Sequence, residues 1–508
     1  MAPRQLKAHL TPCDGINGSH SVAWPGVEQL DESRGAGADS GGGAVPVAPT
    51  TRLSESLRRR LRKLAAQWLQ PFPRIEASDL RQGSEHVSGS DQSKPCPLVF
   101  VRSGLVFLSI RGRSPLFGRE ITRCVNELEG SFARRLVHIL RFLLAALSRN
   151  KGLPDFTFKL CVDDSCHGVR EGRALPFFTM VSCGTRTATI PVVQWNTAGG
   201  RDPDLSRWER TMAALQHSPG RQRSTWESRL PKAVWRGALN DAYVMNRDWS
   251  KQGTLTRLRL RAKTWKKMGR AGLLYQRCAH SDLLDVRLTS GFRLLGPDNA
   301  IANDSSFAEC VDRIRDEPKL MPLQAQASRF RYVVHVEGNG GWSDRLKHLL
   351  LSGALVLKQA MGVAEFFEPL LEPWRHYVPV SSTLTNLSRA VRWARENDQT
   401  AAQIASDAAA LVEEVLSPAA LAFYMEELFV QYAHTHFHAG DSAEKLWKDN
   451  IHKNTTARFA CEREPRRPGW PPSSVPGAHA IRCFLERLSD GAREASMRHI
   501  ARRRGGAG

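Results

Sequence analysis

Ten cysteines are scattered through 508 residues without a C-x-x-C pair or a cluster at metal-ligand spacing. The chain is therefore not a small stapled module. There is no zinc-finger spacing, no RNP aromatic pattern, no run of leucine-zipper heptads and no internal repeat, so no known nucleic-acid module is specified. Long apolar runs are missing too. The most apolar helical stretch, residues 136–147, is short and broken by His138 and Arg141, which favours a core helix over a membrane span. The opening MAPRQLKAHLTPCDG contains no uninterrupted apolar segment, and no signal peptide is visible in it. Acidic residues are in deficit, 51 against 72 Lys and Arg, for a net charge of +21. A balance of that sign implies affinity for something acidic: nucleic acid, an anionic surface or phosphorylated small molecules. The basic clusters at 58–63, 257–270 and 502–504 also suit a solvated face or tail.

A hydrophobic content of 41% allows a sizeable core, and the length suggests two domains or more. Residues 1–94 read as a largely disordered basic extension, rich in Gly, Ala, Ser and Pro, with one amphipathic helix at 53–69. Two apolar runs flank Arg102, Ser103 and Gly104, the pattern of a hairpin over 98–110. A helix at 131–149 and a strand at 156–162 follow, and the strand ends on Asp163 and Asp164. Adjacent aspartates commonly form a turn or a helix cap. In open α/β sheets, however, ligands gather beyond the carboxyl ends of strands, where an acidic pair can do chemistry. A loop-rich middle carries IPVVQW (190–195), Asp202-Pro203-Asp204, read as a polar turn before a helix at 205–215, and VWRGALN (234–240). Helical sequence resumes at 254–269, and helices at 384–396, 401–416 and 418–433 close the fold. Residues beyond about 457 are rich in Pro and Arg. Sequons at Asn17, Asn303, Asn386 and Asn454 permit glycosylation in a secretory protein.

The most informative segment is RYVVHVEGNGGWSDRLKHLLLSGALVLK, residues 331–358. A β-branched strand at 332–336 runs into a loop where Gly338, Gly340 and Gly341 let the backbone approach a ligand closely. Ser343 is positioned to cap a following helix, Arg345 adds positive charge to its first turn, and Leu346, Leu349 and Leu350 recur at helical spacing. Gly353 stops the helix before a second apolar strand. Amides at the helix start and the Arg345 guanidinium make a phosphate site. The loop is neither the dinucleotide fingerprint nor a P-loop, and the same glycines also suit a tight turn. His335 reads as a core histidine and Trp374 as a packing residue. Trp235 and Trp342 could stack on a base or sugar.

Three blocks together resemble glycosyltransferase family 90, the family of capsule-associated xylosyltransferase-like and Rumi-type protein O-glucosyltransferases. They are VEGNGGWSDRLKHLLLSGALVLK, EFFEPLLEPWRHYVPV (365–380) and VWRGALN, within a weaker similarity over about 98–436. The resemblance implies an α/β fold of GT-B type: two Rossmann-like domains facing a cleft, at 95–240 (acceptor side) and 241–436 (UDP-sugar side). A C-terminal extension, 437–508, is expected to be partly disordered. The implied reaction is inverting transfer of glucose or xylose from UDP-glucose or UDP-xylose to a protein or glycan hydroxyl, with no metal or other cofactor.

Position by position, the catalytic aspartate falls on Asp164, with Asp163 as the fallback. The UDP-contacting arginine falls on Arg257, with Arg259 as the alternative register. The donor loop corresponds to Asn339, Gly340, Gly341, Trp342, Ser343, Asp344 and Arg345. Glu365 is a candidate for the ribose hydroxyls or, alternatively, a cap on the next helix. Where a serine often follows W-R-G, this chain has Ala238, and the cysteine pattern of the animal members is absent. The resemblance also implies an endoplasmic reticulum or Golgi lumen location, against a cytoplasmic one if the chain begins at its natural start. It implies a monomer with no membrane span and no specific nucleic-acid partner. Two rival readings are a basic nucleic-acid-binding protein, which predicts salt-dependent polynucleotide binding, and a catalytically silent sugar-nucleotide or glycan-binding relative.

Overall fold

The computed structural model describes residues 53–81, 97–110, 131–162, 175–183, 189–193, 206–217, 226–239, 266, 269–290, 310, 320–336, 338, 343–361, 363–453, 455–463, 481–487 and 498. Chain order begins with α1 (Glu55–Leu69), capped by the Ser54 hydroxyl, which accepts from the Leu57 amide at 3.1 Å. Leu57, Leu61, Leu64, Ala65 and Leu69 form its buried stripe. After the short α2 (Ala77–Arg81), β1 (Leu98–Arg102) and β2 (Leu105–Ile110) make the expected hairpin. Ser103 and Gly104 turn it with φ of 49° and 76°, the left-handed pair that a two-residue hairpin requires. Next come α3 (Ser131–Arg149), β3 (Phe156–Cys161), β4 (Phe177–Thr179), β5 (Ser182–Cys183), β6 (Ile190–Pro191) and α4 (Ser206–Gln216).

The second sheet contains β7 (Leu230–Ala238), β8 (Leu284–Ser290) after α5 (Gly269–Ala279), β9 (Phe330–His335) after α6 (Leu323–Arg329), and β10 (Leu355–Gln359) after α7 (Leu346–Leu351). Past β11 (Val363–Ala364) and a 3-10 turn (Glu368–Leu370), β12 (Val378–Val380) completes it. Strand order is β12-β10-β9-β7-β8 and every pairing is parallel. In chain order this is the 2-1-3-4-5 arrangement of a doubly wound sheet. The W-R-G strand, assigned above to the 95–240 unit, hydrogen-bonds inside this second sheet. The 240/241 division therefore does not follow sheet membership.

The chain closes with α8 (Leu387–Glu396), α9 (Asp398–Val415), α10 (Pro418–Gln431), a π-turn (Tyr432–His436) and α11 (Asp441–Lys453). α10 returns to the first sheet: Phe429 stacks on Phe178, and the Tyr424 and Tyr432 hydroxyls donate to the carbonyls of Pro191 and Thr157 at 2.9 Å each. Strands β13 (Thr455–Arg463) and β14 (Ile481–Arg487) extend that sheet to β14-β13-β2-β1-β3-β4-β6, antiparallel as far as β3 and parallel from β3 to β6. Ordered strands thus occupy part of the span expected to be partly disordered. The architecture is a pair of α/β units, as expected. The ribbon of β5 with β11 joins them, pairing Ser182 with Ala364 and Cys183 with Val363.

Candidate active site

In a doubly wound sheet the crevice opens where strand order reverses, beyond the carboxyl ends of the two strands at that point. Here those strands are β7 and β9. β7 delivers the W-R-G block and β9 runs directly into the glycine-rich loop, so two motifs nearly a hundred residues apart converge on one crevice. The W-R-G arginine plays a structural part. Arg236 is buried, its Nη2 pairs with Asp285 Oδ1 at 2.7 Å, and its Nη1 donates to the Asp285 carbonyl at 2.7 Å.

Trp235 is fully buried, which removes it as a stacking platform for a base or sugar. Instead, Arg270 and Arg345 each hold their guanidinium carbon 5.7 Å from its ring. Arg270 Nη1 donates to the Ala238 carbonyl at 2.9 Å, and Arg345 Nη2 donates to the Arg236 carbonyl. Both arginines are thereby fixed at the end of β7. Burial, and secondarily the like charge of Arg270, holds the Arg345 guanidinium well below its usual basicity. An arrangement that crowds two cations gains from a dianion placed between them.

His335 ends β9. Its Nε2 bonds the Ser343 carbonyl at 3.2 Å, and its Nδ1 has no partner among the described residues. Burial first, then Lys358, pushes its pKa down to about 3, so the imidazole is neutral and can donate from Nε2. The histidine anchors the returning end of the glycine loop. The expected cap is not present: α7 begins at Leu346 without a side-chain cap, and Ser343 contributes only its carbonyl, to the Leu346 amide at 3.4 Å. Leu346, Leu349 and Leu350 are buried as expected, but Lys347 and His348 are buried too, so the helix is enclosed on all sides. Gly353, at φ 71°, ends it before β10.

Between this helix and the segment after β11 lies a closed set of charges. Lys347 Nζ pairs with Asp344 Oδ1 and, at 3.2 Å, with Glu365 Oε2; the side chains of Lys347 and Glu365 are 1% and 2% exposed. Burial lowers the Lys347 pKa, but Asp344 and Glu365 outweigh it and the net shift is upward. Burial raises that of Glu365 against the pull of Lys347, with Asp344 and Glu368 adding to the rise. Two carboxylates share one ammonium, and Glu365 is the more deeply buried of the two. Glu365 Oε1 has no partner among the described residues. Glu365 is not a helix cap: Glu368 Oε1 accepts from the Glu365 amide at 2.8 Å, while Glu368 Oε2 pairs with Lys358 at 2.9 Å.

Of the residues expected from sequence, the structure brings Ser343, Asp344, Arg345 and Glu365 together beside the ends of β7 and β9. Asp163, Asp164, Arg257, Arg259, Asn339, Gly340, Gly341 and Trp342 lie outside the described residues. Arg270, Lys347, Lys358 and Glu368 escaped the sequence reading; a lysine inside a helix otherwise of leucine and histidine was the one available hint. Trp68 escaped it as well, since only folding brings its Nε1 to the Phe366 carbonyl, at 2.8 Å. Trp374, expected to pack, is 51% exposed and meets Trp393 only edge-on. Among the described residues no group of three His, Cys, Asp or Glu could hold a metal, and no single helix is long and apolar enough to cross a membrane.

The chain is similar in sequence to several known proteins. Human protein O-glucosyltransferase 3 is 37% identical over 105 residues, which is 21% of this chain and 20% of the relative. Zebrafish (Danio rerio) protein O-glucosyltransferase 2 is 26% identical over 296 residues, 57% of this chain and 49% of the relative. The chain thus spans about a fifth to a half of the curated relatives it matches. Among solved structures, Anabaena HepE in complex with UDP-glucose aligns at a TM-score of 0.25 and 14% identity, covering 43% of this chain and 52% of HepE. The sequence profile of "Glycosyl transferase family 90" matches residues 125–439, from before α3 through the π-turn after α10, and the chain belongs to that family.

Proposed function

We propose that this protein is an inverting UDP-sugar-dependent glycosyltransferase that moves glucose or xylose to a hydroxyl of a protein or glycan. The observation that carries the reading is the convergence of Arg345, Arg270 and Ser343, where the glycine-rich segment ends, at the β7/β9 switch point of a doubly wound sheet. Family membership and the relatives named protein O-glucosyltransferase support it.

In this reading Asp164, three positions past the end of β3 in the sequence, takes the proton of the acceptor hydroxyl as its oxygen attacks the anomeric carbon. The carboxylate's resting pKa need not match an alcohol's, because the hydroxyl acidifies as the bond forms. The anomeric carbon–oxygen bond to UDP breaks on the opposite face, and the departing diphosphate is met by Arg345, Arg257 and the amides of Asn339, Gly340, Gly341 and Trp342. Each fixed donor aimed at that charge is worth roughly 2–4 kcal/mol in the transition state. The Arg345 guanidinium, held by the Arg236 carbonyl at the end of β7, is the group proposed to meet the phosphate oxygens. Asp344, at the turn after the glycine-rich segment, pairs with Lys347, and Glu365 offers Oε1 to the ribose hydroxyls. The chemistry needs no metal in this scheme.

A luminal, oxidising compartment fits the disulfide between Cys278 and Cys310 and the disulfide-bonded state of Cys161. The test is UDP release from UDP-glucose and UDP-xylose, with a thermal-shift series of nucleoside diphosphates beside it. Stabilisation by UDP alone among the four common nucleoside diphosphates is the expected result. Equal response to all four, or none to any, would overturn the donor assignment.

A further inference from the structure

Lys347 stands 1% exposed on a helix that is otherwise apolar or histidine around it, and burying an ammonium costs several kcal/mol unless partners compensate it. Its two partners come from opposite sides. Asp344 belongs to the turn that ends the glycine-rich loop, and Glu365 belongs to the segment after β11, beside the β5–β11 ribbon that joins the two units. The ammonium takes one carboxylate oxygen of Glu365, Oε2, and leaves the other, Oε1, buried without a partner among the described residues. An unpartnered carboxylate oxygen at that depth is costly unless a ligand completes it. Glu365 is also held through its backbone, by Glu368 on its own amide and by the Trp68 indole on the next carbonyl, that of Phe366. With one oxygen and the main chain fixed, the remaining oxygen has one direction left.

We propose that Lys347 is a positioning residue of the donor site, which grips Glu365 Oε2 and so aims Oε1 at the ribose hydroxyls of the bound nucleotide. This rests on the UDP-sugar reading above and extends it to a residue that touches no substrate. The groups facing Glu365 are Lys347 and Asp344 from α7 and its preceding turn, Glu368 from the 3-10 turn, and Lys358 from β10. Removing Lys347 leaves Glu365 among two carboxylates with Lys358 as the remaining cation.

The experiment measures binding of UDP and of 2′,3′-dideoxyuridine diphosphate, which lacks both ribose hydroxyls, to the wild type and to Lys347→Met, Glu365→Gln and the double variant. The double variant removes both members of the ion pair together, so it retains the fold if a single variant does not. Wild type is expected to prefer UDP about tenfold, the size of one hydrogen bond to a charged group. Glu365→Gln and Lys347→Met should each erase that preference while leaving dideoxy-UDP affinity near wild type, and the double variant should be no worse than Glu365→Gln alone. A Lys347→Met protein that keeps the wild-type preference, or losses that multiply in the double variant, would overturn the inference alone. A wild type that binds no UDP, or binds both ligands equally, would overturn the reading of the site and the inference with it.

Discussion

The indole of Trp235 folds back over the α-carbon of Gly237 so closely that a β-carbon on Gly237 would stand 2.5 Å from Cζ2 and 2.8 Å from Cη2. The glycine of W-R-G is therefore a steric requirement of its tryptophan, and that ring in turn backs the guanidinium groups of Arg270 and Arg345. Gly237→Ala must displace the ring, an overpacking cost of about 1–3 kcal/mol. Urea denaturation should register that loss, and UDP affinity should fall with it because both cations shift.

Arg345→Ala is expected to weaken UDP binding by more than tenfold with little effect on uridine, since the proposed role of Arg345 is a diphosphate contact that spares the nucleoside. Titration calorimetry with both ligands measures the contrast. Equal losses for UDP and uridine would remove Arg345 from the diphosphate subsite.

Asp164→Asn should lower turnover by about 10²–10⁴-fold, the usual worth of a general base, while UDP still binds. Turnover at the wild-type rate would transfer the role to another carboxylate, Asp163 first.

Buried imidazoles, His335 and His348 among them, set an acid limit on stability. Burial is the main cause in each case, pushing His335 to about 3 and His348 to about 4 from an ordinary 6.5. Because the folded pKa is the lower one, the unfolded chain takes up these protons first. The contribution is full above pH 6.5 and declines as pH falls towards 4, by about 1.4 kcal/mol per pH unit for each proton taken up on unfolding. His348→Gln should flatten the slope between pH 6.5 and 4 by up to one proton in denaturation curves. Glu365, whose folded pKa is raised, acts in the opposite sense, so the difference between wild type and variant is the quantity to compare.

The Cys278–Cys310 bridge ties the end of α5 to a residue 32 positions on, across β8. In the chain-entropy account a loop of this size contributes about 3–4 kcal/mol. Reduction with dithiothreitol, or Cys310→Ser, should lower the melting temperature by several degrees, and a curve unchanged by reductant would count against the bridge.

Local pattern made much of this protein legible. The hairpin at 98–110, the helices near 131–149 and 418–433, and the strand, glycine loop, helix and strand of 331–358 are all spelled by short-range periodicity and turn residues, which act within a few positions. The cap of α7 was misread because Ser343 has the right residue type but is held by His335 through its carbonyl, a contact from another strand. Trp374 was misread because apolar type does not reveal which side of a turn faces solvent.

The order of residues alone determined which segment is proposed as the phosphate site and which family the chain resembles, because backbone approach and helix-start amides depend only on neighbours. Strand order, and hence the pairing of β7 with β9 that sets Arg270 and Arg345 on one indole, was decided only in three dimensions. So was the meeting of Lys347 with Glu365, eighteen positions apart on separate elements. Burial excludes water around these charges, and only a folded core can do that.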